Sequence, residues 1–242
     1  MNGIPLIRWD APGPYRVTFS TRVGGVSEDP YASLNLGIMT GDEPERVLEN
    51  RRRLCREADV EAERGQMAWQ QHGSVVRRAE PEGLDTLADR PPCDGLWSEE
   101  PGVGMLLVAA DCLPIALARV DGDRAGLALL HVGWKGLLGG IVSTGAAALG
   151  GRLAAVIGPG IGPCCYEVQE DVAAPYRAAF GREIVRHGRL DMWSAAAQAL
   201  RAVGCDRIER TDLCTACHSE LFFSHRRDGA RTGRQGVLGA VG

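Results

Sequence analysis

The chain has 242 residues, 45% of them hydrophobic, enough for a sizeable core. A formal charge of −4 and a pI near 5.8 argue against a non-specific nucleic-acid binder, which shows a basic stripe and a high pI. The balance still allows a small anionic ligand held by a few arginines gathered in one cleft.

The opening MNGIPLIRWDAPGPY lacks a basic start followed by an apolar stretch, so no secretory leader is expected. The longest apolar run, 103–110, stops at Asp111, well short of the roughly eighteen residues that cross a bilayer. A cytoplasmic location without membrane partners follows as an expectation, with the eight cysteines reduced.

In chain order, YRVTFS at 15–20 alternates like a strand, and TRVGGVS after it reads as a glycine-rich turn. Over 42–58 acidic residues precede basic ones, and Val47, Leu48, Leu54 and Cys55 share one helical face. A polar turn at 70–73 follows, then a Pro, Glu, Asp and Gly-rich surface loop over 80–95. The 103–110 run predicts a strand buried on both faces, broken at Asp111-Cys112-Leu113-Pro114 and resumed as IALARV. A hairpin turn at 121–123 leads to GLALLHV, a buried strand ending at His131, then GWKGLLGG and an Ala-rich helix to about Leu149. LAAVI predicts a strand before a Gly-Pro loop, and helices are expected over 168–180 and 191–203, the second capped by Asp191. The tail from 221 predicts a strand, a basic loop and a last strand. Strands and helices mix without strict alternation, which predicts α+β with mixed sheets in a layered α/β sandwich, one domain over 1–242.

His72, Cys112 and His131 each stand where a strand is expected to end and a turn to begin. Such a position holds a side chain rigidly and keeps it reachable by solvent. Imidazole and thiolate suit zinc, and a three-ligand set leaves one position open. Separations of 40 and 19 residues do not form a compact metal motif, and a capped histidine or buried thiol fits each residue taken singly. Cys214-Thr215-Ala216-Cys217-His218 matches the c-type haem attachment pattern, but that attachment requires export. Cys214 and Cys217 with Cys164 and Cys165 would suit a structural zinc by ligand type, and packed thiols suit them equally. The basic cluster of Arg226, Arg227, Arg231 and Arg234 is either a solvated loop or an anion clamp, which Arg22 joins only if the chain ends meet.

TRVGGVS, SLNLG, QQHG, CDGLW, VAADCLPI, LHVGWKG, IGPGIGPCCYEV and FFSHRRDGARTGRQ, in that order, resemble the YfiH-type family from about Phe19 to Val237. His225 stands where that family usually has tyrosine. The family has been called multicopper polyphenol oxidase, laccase-domain protein and peptidoglycan editing factor. The resemblance implies a mixed α/β layered fold and zinc at His72, Cys112 and His131. It also implies phosphorolysis of adenosine, inosine and methylthioadenosine, with deamination of adenosine, so the expected partners are purine nucleosides and phosphate. Five histidines are too few for a blue-copper site plus a three-copper cluster, so multicopper chemistry is excluded on ligand count.

Within that reading Cys112 and Asp111 are expected at the reacting centre. Asp111 is either a general acid/base or a buried structural acid, because strand neighbours face opposite ways. Arg227 and Arg226 are the expected phosphate clamp. Asn35 is a ribose contact or a turn former, Trp134 a purine platform or a cover, and Lys135 a phosphate partner or a solvated helix-start residue. Cys164 and Cys165 include a nucleophile only if a base lies nearby. A cytosolic hydrolase of peptidoglycan precursors is the alternative activity, and a non-enzymatic binding role a third reading. A monomer is the default expectation for assembly.

Overall fold

Apolar runs that fill both faces of central strands build this fold, described for residues 3–84 and 90–242 of a computed structural model. Of the loop expected over 80–95, residues 85–89 lie outside the described residues. The chain begins with β1 (Leu6–Arg8), β2 (Tyr15–Ser20), α1 (Pro44–Ala58), β3 (Gly65–Met67), β4 (Val76–Arg78), β5 (Gly95–Ser98) and β6 (Gly104–Ala109). It continues through β7 (Leu113–Arg119), β8 (Leu127–Val132), α2 (Trp134–Leu138), α3 (Ile141–Leu149), β9 (Leu153–Ile157) and α4 (Glu170–Phe180). The last part holds β10 (Val185–Arg186), β11 (Arg189–Leu190), α5 (Met192–Ala202), β12 (Cys205–Arg210), α6 (His225–Asp228) and β13 (Gln235–Val241).

One mixed sheet is ordered β1-β2-β13-β6-β3, the other β12-β9-β7-β8-β5-β4, and β10 with β11 makes a small separate hairpin. Side-chain alternation stacks them into four layers. Ala116, Ala118, Leu127 and Leu129 of the second sheet meet Val17, Phe19, Met105, Leu107 and Val237 of the first. The opposite face of β7 and β8, with Leu117 and Leu130, packs on α3, α4 and α5. Leu106 and Leu238 on the outer face of the first sheet pack on Leu54, Cys55 and Ala58 of α1. The expected layered α+β class is what the structure shows. No helix among the described residues is long and apolar enough to cross a membrane.

Most expected elements form where the sequence places them, including β2, β6, the β7–β8 hairpin and α5, where the Asp191 carboxylate accepts the Ser194 amide at 2.9 Å. Three details differ. In α1, Leu48 is only half-buried, whereas Asn50 and Arg51 are wholly buried. Arg51 Nε and Nη2 donate to Leu36 O at 3.0 and 2.9 Å, so the helix seats the loop before it through polar contacts. The Ala-rich helix breaks into α2 and α3 at Gly140, whose φ of +83° suits glycine. Segment 221–224 is not a strand. The Gln235 side chain satisfies Phe223 on both sides, accepting its amide at 2.9 Å and donating to its carbonyl at 3.1 Å, so no partner strand is needed.

Candidate metal centre

β7 pairs β8 with Pro114 opposite His131, and β5 pairs β8 with Gly95 opposite Leu130. This register brings three chain bends to one end of the second sheet: Asp94 before β5, Cys112 before β7, and His131 near the end of β8. The fourth contributor, His72, sits at the 70–73 turn between β3 and β4. That turn is anchored on β6, because Gln70 Nε2 donates to Val108 O at 2.7 Å and Val108 N donates back to Gln70 Oε1 at 2.9 Å.

His72, Cys112 and His131 present ligand atoms within 4.8 Å of one another, the two rings edge-to-face at 4.9 Å. His131 is buried, Cys112 half-buried and His72 exposed, so the centre is rigid at its base and open to solvent at its rim. Gly133 completes the wall: a Cβ there would stand 3.2 Å from His72 Cδ2 and 3.3 Å from Cys112 Sγ.

Asp94, which the sequence reading did not single out, organises the centre. Its carboxylate, 1% exposed, accepts the His72 amide at 2.8 Å, the Gly73 amide at 2.7 Å and the Gln71 amide at 3.1 Å. It also accepts a hydrogen bond from His131 Nδ1 at 2.9 Å. One carboxylate thus shapes the turn that carries His72 and leaves His131 Nε2 as the free nitrogen, an arrangement typical of metal-binding histidines. Burial pushes the Asp94 carboxyl upward, but the His131 and backbone donors outweigh it and hold it below its ordinary value.

Electrostatics favour the Cys112 thiolate, while His131 must give up a proton before its Nε2 can bind a metal. Burial pushes the Cys112 thiol up, yet His131 and then His72 bring it down to about 6. Burial likewise pushes His131 down, and the Cys112 thiolate with Asp94 raises it to about 9. Tetrahedral zinc places such donors about 3.5 Å apart, and His131 and His72 are both within hydrogen-bonding reach of the Cys112 sulfur. Two imidazoles, one thiolate, a carboxylate behind one imidazole and an open side suit a single zinc-type ion.

Asp111 precedes Cys112 with a φ of +90°, a strained value for a residue with a side chain. Its oxygens are both engaged, accepting Thr215 Oγ1 at 2.7 Å and the Arg226 amide at 2.6 Å. Arg226 is exposed, lies over the Tyr166 ring at 5.1 Å and spends one side-chain donor on Glu167 O at 2.7 Å. Burial, aided by Cys112, outweighs Arg226 and pushes the Tyr166 phenol up to about 12, which sets Tyr166 beside the centre. Arg227 commits its guanidinium inward, to Asp228, Phe222 O, Thr215 O and Ala216 O. The chain ends do meet, since β2 pairs β13, and Arg22 lies over Phe223 near Arg227, tied to Ala32 O and Ser219 O. Asn35 is wholly buried, donating to Thr40 and Asp42 and accepting the Arg234 amide at 2.8 Å. Trp134 is half-buried at the start of α2 with the exposed Lys135 ammonium 5.4 Å from its ring. Arg234, named above with the candidate anion clamp, lies close enough to Asp111 and Cys112 to feel both charges.

Residues 16–241 match the family model described as multi-copper polyphenol oxidoreductase laccase. The chain belongs to this family. Relatives within reach include the purine nucleoside phosphorylase YlmD of Geobacillus stearothermophilus, 35% identical across 89% of this chain and 86% of that protein. The purine nucleoside phosphorylase YfiH of Escherichia coli is 34% identical across 97% of both chains. The crystal structure of YlmD from Geobacillus stearothermophilus superposes with a TM-score of 0.89 at 32% identity, covering 100% of this chain and 97% of that one. The copper in the family's description meets a ligand count of two histidines at the centre. Of the other three, His187 and His225 are exposed and His218 half-buried, and none joins that centre among the described residues, so its histidines are too few for a multicopper cluster.

Proposed function

We propose that this chain is a zinc-dependent purine nucleoside phosphorylase that also deaminates adenosine. Adenosine, inosine or S-methyl-5'-thioadenosine plus phosphate would give the free base and ribose or methylthioribose 1-phosphate; adenosine plus water would give inosine and ammonia. The observation that carries the reading is the Asp94-supported convergence of His72, Cys112 and His131 on one open position. Relatives of similar length named for purine nucleoside phosphorolysis supply the substrate class.

Zinc bound by those three side chains supplies Lewis-acid polarisation of an oxygen or nitrogen presented at the open position. The chain's own groups do the rest. Cys112 supplies a thiolate, and Asp94 fixes the tautomer and direction of His131. Arg226, with most of its guanidinium donors uncommitted, and Arg234, which among the described residues commits Nη1 to Thr232 O and Gly233 O, would receive the phosphate anion. Arg227 keeps the loop of Arg226 in register by gripping the carbonyls of Thr215 and Ala216. In phosphorolysis a phosphate oxygen bonds to the sugar C1′ as the glycosidic electron pair leaves with the purine, which then takes a proton. Asp111, held between Thr215 and Arg226, is the nearest carboxylate in sequence to orient a water that delivers that proton. Tyr166, kept protonated by burial, offers a neutral hydroxyl on the same side.

Chromatography of each nucleoside incubated with the zinc-loaded protein, with and without phosphate, tests the reading. Phosphate-dependent release of free base is expected, and adenosine alone should yield inosine. His72→Ala and Cys112→Ser should lose the metal of this centre and at least about 100-fold in turnover together, with circular dichroism unchanged. Full zinc occupancy in both variants would remove the ligand assignment. Turnover of amino-acid-substituted peptidoglycan precursors with nucleosides left intact would instead favour a precursor hydrolase.

A further inference from the structure

A second group of soft ligands closes up between two loops on the far side of Asp111. Cys164 and Cys165 lie in the loop after β9, and Cys214 and Cys217 in the loop after β12. All four sulfurs lie within 4.8 Å of one another, and Cys217 Sγ is 3.4 Å from both Cys164 Sγ and Cys165 Sγ. Their setting differs from that of Cys55, Cys93 and Cys205, which are buried among apolar side chains, because Cys164 and Cys217 are exposed. Exposed thiols gain little by crowding together, since S–H is a weak donor and sulfur a weak acceptor. Four thiolates around one zinc ion at about 2.3 Å stand about 3.8 Å apart. The observed spacing meets that geometry with the loops where they are. One cysteine pair separated by a single peptide bond and another separated by two residues supply the corners. A disulfide would unite only two of the four and strand the others.

The surroundings are those of a metal-bound thiolate. The Gly162 amide donates to Cys214 Sγ at 3.2 Å, and the Ala216 and Cys217 amides also point at that sulfur. Amide donors of this kind orient a sulfur ligand and spread its charge. We propose that Cys164, Cys165, Cys214 and Cys217 hold a second zinc ion with no open position, structural in role and independent of the nucleoside reading.

The consequence reaches the first centre through one chain of contacts. The two loops are already stitched, Gly160 N to Leu213 O and Thr215 N to Gly160 O, each at 3.2 Å. Thr215, inside the Cys214–Cys217 loop, donates to Asp111 Oδ1 at 2.7 Å, and Arg227 grips the carbonyls of Thr215 and Ala216. An ion at the four sulfurs therefore fastens the loop that holds the strained bend before Cys112. It acts on the reaction by positioning.

The test counts metal in the full chain purified under reducing conditions. Wild type is expected to carry about two zinc ions per chain, and both His72→Ala/Cys112→Ser and Cys164→Ser/Cys217→Ser about one. Cobalt loaded into His72→Ala/Cys112→Ser should show the intense thiolate-to-metal charge transfer of a tetrathiolate site. Thiol-reagent kinetics on wild type provide a second measurement that does not depend on the folding of the serine variant. The exposed Cys164 and Cys217 should react at least about tenfold faster after chelation than in zinc-loaded protein. A folded His72→Ala/Cys112→Ser variant without stoichiometric zinc overturns the proposal. So do equal thiol reactivity before and after chelation, a disulfide within the cluster, or iron in place of zinc.

Discussion

Asp94 shows how much one side chain decides at this centre. Its carboxylate receives amides from three successive residues of a turn more than twenty positions earlier, and the ring proton of His131. Replacing it with asparagine keeps the shape but points an amide NH₂ at groups that themselves donate. Asp94→Asn is therefore expected to weaken zinc binding about 10- to 100-fold, in line with other partners of metal-bound histidines. A competition titration against a chromophoric chelator measures this, and an unchanged affinity would reduce Asp94 to a turn-former. The convergence of His72, Cys112 and His131 was expected from imidazole and thiolate at strand ends together with the family resemblance, since their spacing forms no compact motif and each taken singly also reads as a capped histidine or buried thiol. Asp94 was not, because a carboxylate beside glycine reads as a turn until β5 pairs β8 and sets it against His131. The same limit applies to Asn35 and Arg227, whose residue types suit a substrate but whose hydrogen bonds are spent inside the protein.

At the scale of elements, α2 shows why small residues cluster around the centre. The helix backs onto the His72 turn so closely that a Cβ at Gly136 would stand 2.5 Å from Gly73 O, a backbone atom that cannot swing aside. Gly136→Ala must push α2 and the 70–73 turn apart. The expected cost is about 1–3 kcal/mol of stability, as for other overpacked contacts, together with weaker zinc binding as His72 is carried away from Cys112. Thermal unfolding with and without zinc separates the two effects. A variant whose zinc-induced rise in Tm equals that of wild type would show that α2 does not set the turn. Strands such as β6, β7 and β8 were legible because apolar runs bounded by Asp, Gly and Pro leave few alternatives. The division between α2 and α3 was written in Gly139-Gly140, and the run after Trp134 hid it. The 221–224 segment looks like a strand locally. Only the distant Gln235 side chain, which closes both of Phe223's backbone groups, makes it a loop.

For the whole molecule, the two ends of the chain play unequal parts in the first sheet. β1 is an edge strand of three residues, two half-buried and one exposed, paired only with β2. β13 lies at the centre between β2 and β6, is buried along its whole length, and contributes Val237 to the core between the sheets and Leu238 to the core under α1. Removing the first eight residues exposes one edge of β2 and takes away little apolar surface. A loss of about 2 kcal/mol, or about 4–8 °C in Tm for a chain of this size, is expected, with metal binding retained. Ending the chain at Arg234 is different. It leaves unpaired backbone on β2 and β6, opens two apolar layers at once, and removes Gln235, the support of Phe223 and of the loop that leads to Arg226 and Arg227. That truncation is expected to yield aggregated protein without a cooperative unfolding transition. Circular dichroism and calorimetry of the two truncations side by side test the contrast. If the form ending at Arg234 melts cooperatively and still binds zinc, the central place of β13 in holding the two sheets together would have to be abandoned.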